Sequence, residues 1–150
     1  MNRHFEISEV VPHSGLMSLL DDIVDYDEES LTASVDIHPG VMFAEVQGVP
    51  SWVGIEYMAQ TIAAHAGVLQ RLNGLEVKVG FLVGTRKLTC SHSYIPFGSK
   101  LLVKVEKEFQ ADNGLGVFNC SIRCGDIAMD AGLNVFQPED VNEFLENGKI

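Results

Sequence analysis

The chain reads as a single α+β domain in which one antiparallel sheet wraps around one long helix. Three observations predict this. Residues 51–72 form a helical run that is small and apolar on nearly every face, the pattern of a helix buried by something broad. The segments before and after it alternate apolar and polar residues in the manner of half-buried strands. The pairs Asn113-Gly114 and Gly125-Asp126 fall between such segments and are hairpin signals, which makes the later strands antiparallel neighbours. Strands, then a helix, then strands again is an α+β order. At 150 residues and 46% apolar, the chain has material for one core and no need of a second domain.

Taken in order, residues 19–27 and 30–37 alternate loosely around the acidic turn Asp27-Glu28-Glu29 and read as a hairpin. Pro39-Gly40 breaks that pattern, and residues 43–48 read as a loop. Pro50 and Ser51 mark the helix start, proline being suited to a first turn. The helix ends at Asn73-Gly74, a left-handed C-cap. Strand-like runs follow at 77–88, 100–110, 116–124 and 127–136. In the acidic tail, 139–150, Val141, Phe144 and Leu145 stand at helical spacing, which predicts a short peripheral helix.

Composition narrows the function. A net charge of −11 disfavours nucleic acid and anionic membranes, both of which need a basic surface. No run approaches the roughly 20 apolar residues of a membrane span, and the N-terminus has no secretory pattern, so a cytoplasmic protein is expected. Cys90, Cys120 and Cys124 are odd in number and lack paired spacing, which argues against disulfides and against a zinc site; no cofactor is implied. Cys120 and Cys124 share one strand face and read as small core residues. Charge is also uneven. Residues 1–56 carry eleven acidic groups against Arg3, whereas residues 71–107 carry seven basic groups against Glu76 and Glu106. That basic stretch is either a solvated sheet face or a dock for an acidic partner.

One polar residue stands out. Glu56 sits one and a half turns into the apolar helix. A carboxylate in dry surroundings needs a hydrogen-bonding partner, or it titrates in the range useful for proton transfer. A structural bond to a strand backbone is the alternative reading. His65 follows nine residues later, about 180° around the helix, and cannot share a site with Glu56 within one chain. His38, before Pro39, reaches the site if its loop folds back and otherwise reads as a strand-end surface residue, and His4 and His92 read as exposed ones.

The order of these residues resembles a known family, the hotdog-fold 3-hydroxyacyl-carrier-protein dehydratases. Pro12-His13, the apolar Leu16-Met17-Ser18-Leu19-Leu20 and then Asp21 are similar to its N-terminal segment. Pro50, followed six residues later by Glu56-Tyr57-Met58-Ala59-Gln60, is similar to its helix motif, and Phe81-Leu82-Val83-Gly84, Lys87 and Pro96 recur in the following strands. The chain is more similar still to the dehydratase-like branch of aryl polyene clusters. That likeness is carried by Pro12-His13-Ser14-Gly15-Leu16-Met17, Trp52-Val53-Gly54-Ile55-Glu56, Gly80-Phe81-Leu82-Val83-Gly84-Thr85-Arg86 and Asn134-Val135-Phe136-Gln137-Pro138. One departure is large: the family's base histidine belongs to a loop shortly before the helix, and residues 42–48 contain no histidine. Ser51 also replaces the family's glycine.

The resemblance implies a hotdog fold and a dehydratase-like protein acting on 3-hydroxyacyl thioesters held by acyl carrier protein, in fatty-acid or aryl-polyene-type synthesis. Dehydration needs a base for the α-proton, an acid for the leaving hydroxyl and a donor to the thioester carbonyl. Glu56 matches the family's acid. The backbone N–H of Ser51, at a helix start, matches the donor. His13 is the first candidate for the missing base, a structural hydrogen bond being its other reading. Trp52 and Tyr57 flank Glu56 and line an acyl tunnel or fill core, while Arg86, Lys87 and Lys100 would grip the acidic carrier. The resemblance also implies a homodimer, or a heterodimer with a paralogous hotdog subunit. Two rival functions remain: an acyl-thioesterase in which Glu56 activates water, and a weakly active or non-catalytic acyl-binding subunit.

Overall fold

The structure, a computed structural model, describes residues 3–138; the tail expected to be helical lies outside them. Its elements are α1 (Ile7–Val10), a 3₁₀ turn (Gly15–Met17), β1 (Asp22–Tyr26), β2 (Ser30–Asp36), β3 (Val49–Pro50), a second 3₁₀ turn (Ser51–Val53), α2 (Gly54–Leu72), β4 (Phe81–Cys90), β5 (Tyr94–Ile95), β6 (Lys100–Gln110), β7 (Leu115–Cys124) and β8 (Ile127–Phe136). Six strands form one sheet in the order β1-β2-β6-β7-β8-β4, every neighbouring pair antiparallel. This is the hotdog arrangement: a sheet curled around α2, with β1 and β4 as its edges.

Strand parity builds the core. Leu101, Val103 and Val105 of β6, with Phe118, Cys120 and Ile122 of β7, turn inward and are buried against Met58, Ile62, Ala64 and Val68 of α2. Each large apolar side chain so buried contributes about 1.5–3 kcal/mol. Cys120 and Cys124 share the inner face and are free thiols, Cys120 buried and Cys124 partly so.

Two close contacts fix the helix. Gly67 lies so near the Val10 carbonyl that a Cβ there would collide with it, and one at Gly54 would collide with Met129. The chain N-terminal to β1 therefore runs back along α2, from Val10 beside Gly67 to Met17, whose carbonyl accepts from Gln60 Nε2 at 2.6 Å. At the C-cap, Gly74 takes φ +71, and Leu75 N–H donates to the Gln70 carbonyl at 2.8 Å, as the Asn73-Gly74 pair predicts.

Several boundaries differ from expectation for identifiable reasons. Residues 77–80 do not join the sheet, because Lys78 N–H donates to Gln70 Oε1 at 2.9 Å and holds that segment to the helix. Residues 19–21 precede the first strand, because Leu19 N–H is taken by Gln60 Oε1 at 2.9 Å. The helix begins as a 3₁₀ turn, since Val49 and Pro50 are still paired with Ile95 and Tyr94. The short α1 was not foreseen; Glu6 N–H donates to Glu9 Oε1 at 2.9 Å across its first turn.

Candidate active site

The helix is not buried all round. Trp52 and Glu56, four residues apart and so on one helix face, are both exposed, and Trp52 packs edge-on against Phe43 with ring centroids 5.6 Å apart. The small residues after Glu56 explain the difference from expectation. Ala59, Ala63 and Ala66 leave space instead of closing against a neighbour, and that space is a cavity of about 180 Å³ under the helix. Glu56 stands at one end. Phe81, Phe118 and Phe136 face the alanines, and Gly80, Leu82 and Val135 complete the apolar lining. Such a slot suits a chain-like apolar ligand with reactive chemistry at the carboxylate.

His13 lines the same cavity. Its Nδ1 is buried without a hydrogen-bond partner from the protein, a position that a water, a ligand or a proton-transfer role would satisfy. Its position along the helix matters. Val10 meets α2 at Gly67 and Met17 meets it at Gln60, so His13 enters between those levels, about 6–16 Å beyond Glu56 along the axis. The two residues share a cavity without bonding to each other.

The remaining expected residues are distributed elsewhere. The Ser51 N–H is not available as a carbonyl donor: it donates to the Ser93 carbonyl at 2.9 Å and extends the ladder begun by Val49 and Ile95. Tyr57 is one residue from Glu56 and therefore about 100° around the helix. It is buried on the other side, beside a separate hollow that it shares with Asp21 and His38. Burial, helped by Asp21, pushes its hydroxyl up to about 12. Tyr57 is thus buried and does not line the slot at Glu56, and His38 shares the separate hollow with it. Arg86 and Lys87 sit with Asn119 and Asp130 in a shallow depression that Glu56 does not line. Lys100 is on β6, separated from β4 by β7 and β8, roughly 14 Å at the usual strand spacing. The three cations form no single patch.

His65 is buried, opposite the exposed face, with Nε2 donating to the Asp27 carbonyl at 3.0 Å and its ring edge-on to Phe118. His92 lies beside Ser91 and Asp126, and His4 is exposed. Among the described residues no group of three metal-ligating side chains converges, and no helix is long and apolar enough to cross a membrane.

Gln60 and Gln137 read only as parts of motifs and Gln110 only as the end of a strand, although all three line the cavity and Gln60 also holds the His13 segment. The Asn113-Gly114 signal places Gln110 just before a hairpin, so its nearness to the end of the last strand was readable only once β7 and β8 were paired.

Comparison with known families matches residues 5–146 to the ApeP-like family, described as the ApeP dehydratase. No curated protein matches the chain in sequence. Among solved structures, the chain is similar to the dehydratase heterocomplex ApeI:P from Xenorhabdus doucetiae, with a TM-score of 0.89 at 23% identity over 99% of this chain and 100% of that one. It is similar at a lower level to a hypothetical thioesterase with coenzyme A from Streptococcus pneumoniae TIGR4, with a TM-score of 0.60 at 10% identity over 77% and 84% of the two chains. The PaaI protein of the E. coli phenylacetic acid degradation operon gives 0.57 at 14% identity over 75% and 80%. At these identities the structural likenesses speak to the fold.

Proposed function

The chain belongs to the ApeP-like dehydratase family, and from that premise we propose that it is a dehydratase subunit that binds a 3-hydroxyacyl thioester delivered by acyl carrier protein. The observation that carries this reading is Glu56 at the end of an apolar slot shaped for an acyl chain. In the reaction a base removes the α-proton, the electrons form the Cα–Cβ double bond, and the C–O bond breaks. The hydroxyl leaves as water with a proton from the acid. Glu56 is the acid.

The base comes from a facing subunit. Glu56 lies on an exposed face with Trp52, the neighbouring edge strand β4 exposes Leu82, Val83 and Leu88, and that much apolar surface marks a contact site. A paralogous hotdog subunit is the partner proposed for it, in keeping with the heterocomplex described for the Xenorhabdus doucetiae structure. A second reading, in which His13 is the base within this chain, is favoured by its orphaned Nδ1 in the same cavity. Carrier docking falls to Arg86 and Lys87, without Lys100.

The test incubates the protein with a 3-hydroxyacyl carrier protein, alone and with the paralogous subunit, and follows products by mass spectrometry. Loss of water only when both subunits are present supports the first reading. Loss of water by this chain alone, abolished in His13→Asn, supports the second. Release of free acid indicates a thioesterase.

A further inference from the structure

The hollow beside Tyr57, about 180 Å³, shares no lining residue with the slot at Glu56. Three separate stretches of chain build it: residues 15–21 ahead of β1, residues 38–42 beyond β2, and Tyr57 of α2. The first stretch is held to the helix by the Gln60 bonds to Met17 and Leu19.

Tyr57 is 1% exposed, and its hydroxyl makes no hydrogen bond among the described residues; only its backbone carbonyl accepts, from Thr61 Oγ1. The Asp21 charge acts on that hydroxyl, and both residues line the hollow, so the hydroxyl points into it. A buried phenol needs a hydrogen-bonding neighbour, and whatever enters the hollow must supply one. Asp21 is half engaged. Its Oδ2 accepts from the Asp36 N–H at 2.6 Å and its own N–H donates to the Ser34 carbonyl at 2.9 Å, which fixes the carboxylate and leaves Oδ1 as an acceptor. Ser18 adds a second hydroxyl without a bond among the described residues. His38 Nδ1 accepts from the Gly40 N–H at 3.2 Å, so its ring proton is on Nε2 and the exposed ring forms the rim. Leu16, Leu19, Val41 and Met42 make the apolar wall.

Charge selects the guest. Asp21 is the carboxylate among the lining residues, and residues 1–56 carry eleven acidic groups against Arg3, so this region attracts cations and opposes anions. Geometry then selects among cations. A guanidinium binds best to both oxygens of one carboxylate, and one oxygen of Asp21 is already taken. An ammonium offers three diverging donors, and the hollow offers three separate acceptors: Asp21 Oδ1 and the hydroxyls of Tyr57 and Ser18.

We propose that this hollow is a binding site for a primary alkylammonium group, its NH₃⁺ held by Asp21, Tyr57 and Ser18 and its short alkyl stem lying among Leu16, Leu19, Val41 and Met42. A free amine and a lysine side chain of another subunit carry the same chemistry.

The experiment titrates the purified full-length protein with n-butylammonium, n-propylguanidinium and n-butanol at pH 7.5, reading amide NMR shifts of residues 15–21 and 38–42. Butylammonium should give saturable shifts there and bind about tenfold tighter than butanol, the gain of a charge-assisted hydrogen bond, and tighter than the guanidinium. Asp21→Asn keeps an oxygen for the Asp36 N–H and should remove the preference for the cation. Tyr57→Phe should weaken butylammonium about threefold, the worth of one neutral hydrogen bond. Its melting temperature should not fall, because the lost hydroxyl had no partner in the protein. Loss of butylammonium binding on assembly with the paralogous subunit supports the site with a lysine as occupant, and retained binding supports it with a free amine. Absence of saturable shifts, equal affinity for butanol or the guanidinium, or full butylammonium affinity in both variants overturns the site.

Discussion

Gln60 clasps Met17 to the central helix. Its Nε2 donates to the Met17 carbonyl at 2.6 Å while its Oε1 accepts from the amide two residues on, Leu19, at 2.9 Å. Both ends of one buried amide are thereby spent on holding the segment that carries His13. Gln60→Leu keeps the volume but leaves a carbonyl and an N–H without partners, and each such group costs about 1–3 kcal/mol. Urea denaturation should show a loss of about 2–4 kcal/mol. A loss below 1 kcal/mol would mean that the clasp is incidental.

Gly67 sets two effects against each other. Alanine is favoured over glycine inside a helix by about 1 kcal/mol, yet a Cβ at this position collides with the Val10 backbone. Backbone cannot swing aside as a flexible side chain does, so the clash should win, lowering stability by about 1–3 kcal/mol. A Gly67→Ala protein with an unchanged or raised melting temperature would show that α1 is free to move away.

Stability should also respond to pH through His65. Burial holds its pKa below the ordinary histidine value and Lys107 adds to the effect, while the hydrogen bond to the Asp27 carbonyl opposes them. The folded state therefore binds fewer protons than the unfolded chain in the window below about 6.5. Its stabilising contribution is complete above that pH and is lost as pH falls, by at most about 1.4 kcal/mol per unit. His65→Phe should flatten the slope between pH 6.5 and 5. An unchanged slope would remove His65 from the explanation.

The three thiols should differ in reactivity. Burial pushes the Cys120 thiol up to about 12, whereas Cys90 is exposed, and the thiolate is the reactive form. Alkylation of the native protein at pH 8, mapped by mass spectrometry, should label Cys90 and spare Cys120 until the chain is unfolded. Comparable labelling of both would contradict the inward orientation of Cys120 on β7.

Much of the fold was legible because local signals agreed with one another. The small apolar run of 51–72, its Asn73-Gly74 stop and the two hairpin pairs each point to the same sheet around the same helix. Misplaced boundaries trace to side chains that capture backbone from a distance: Gln70 takes the amide of Lys78, and Gln60 that of Leu19. No local pattern encodes such captures. The site was legible in part. Glu56 announced itself as an isolated carboxylate, but the neighbouring alanines suggest close packing as readily as a cavity, and only the assembled sheet decides between them. Tyr57 looked like a neighbour of Glu56 because it is adjacent in sequence, although helical geometry turns adjacent residues apart. Ser51 looked free because its acceptor, Ser93, is more than forty residues away in the chain.

The central claim is that Glu56 is the carboxylate of a dehydratase site built at the end of the acyl slot, and one comparison tests it most directly. The protein and its Glu56→Gln form, each assembled with the paralogous subunit, are given a 3-hydroxyacyl carrier protein, and the rate of water loss is followed by mass spectrometry. Removing a general acid should slow the reaction by about 10²–10⁴-fold while the thermal stability of the exposed position stays unchanged. Full activity in the Glu56→Gln complex would contradict the account.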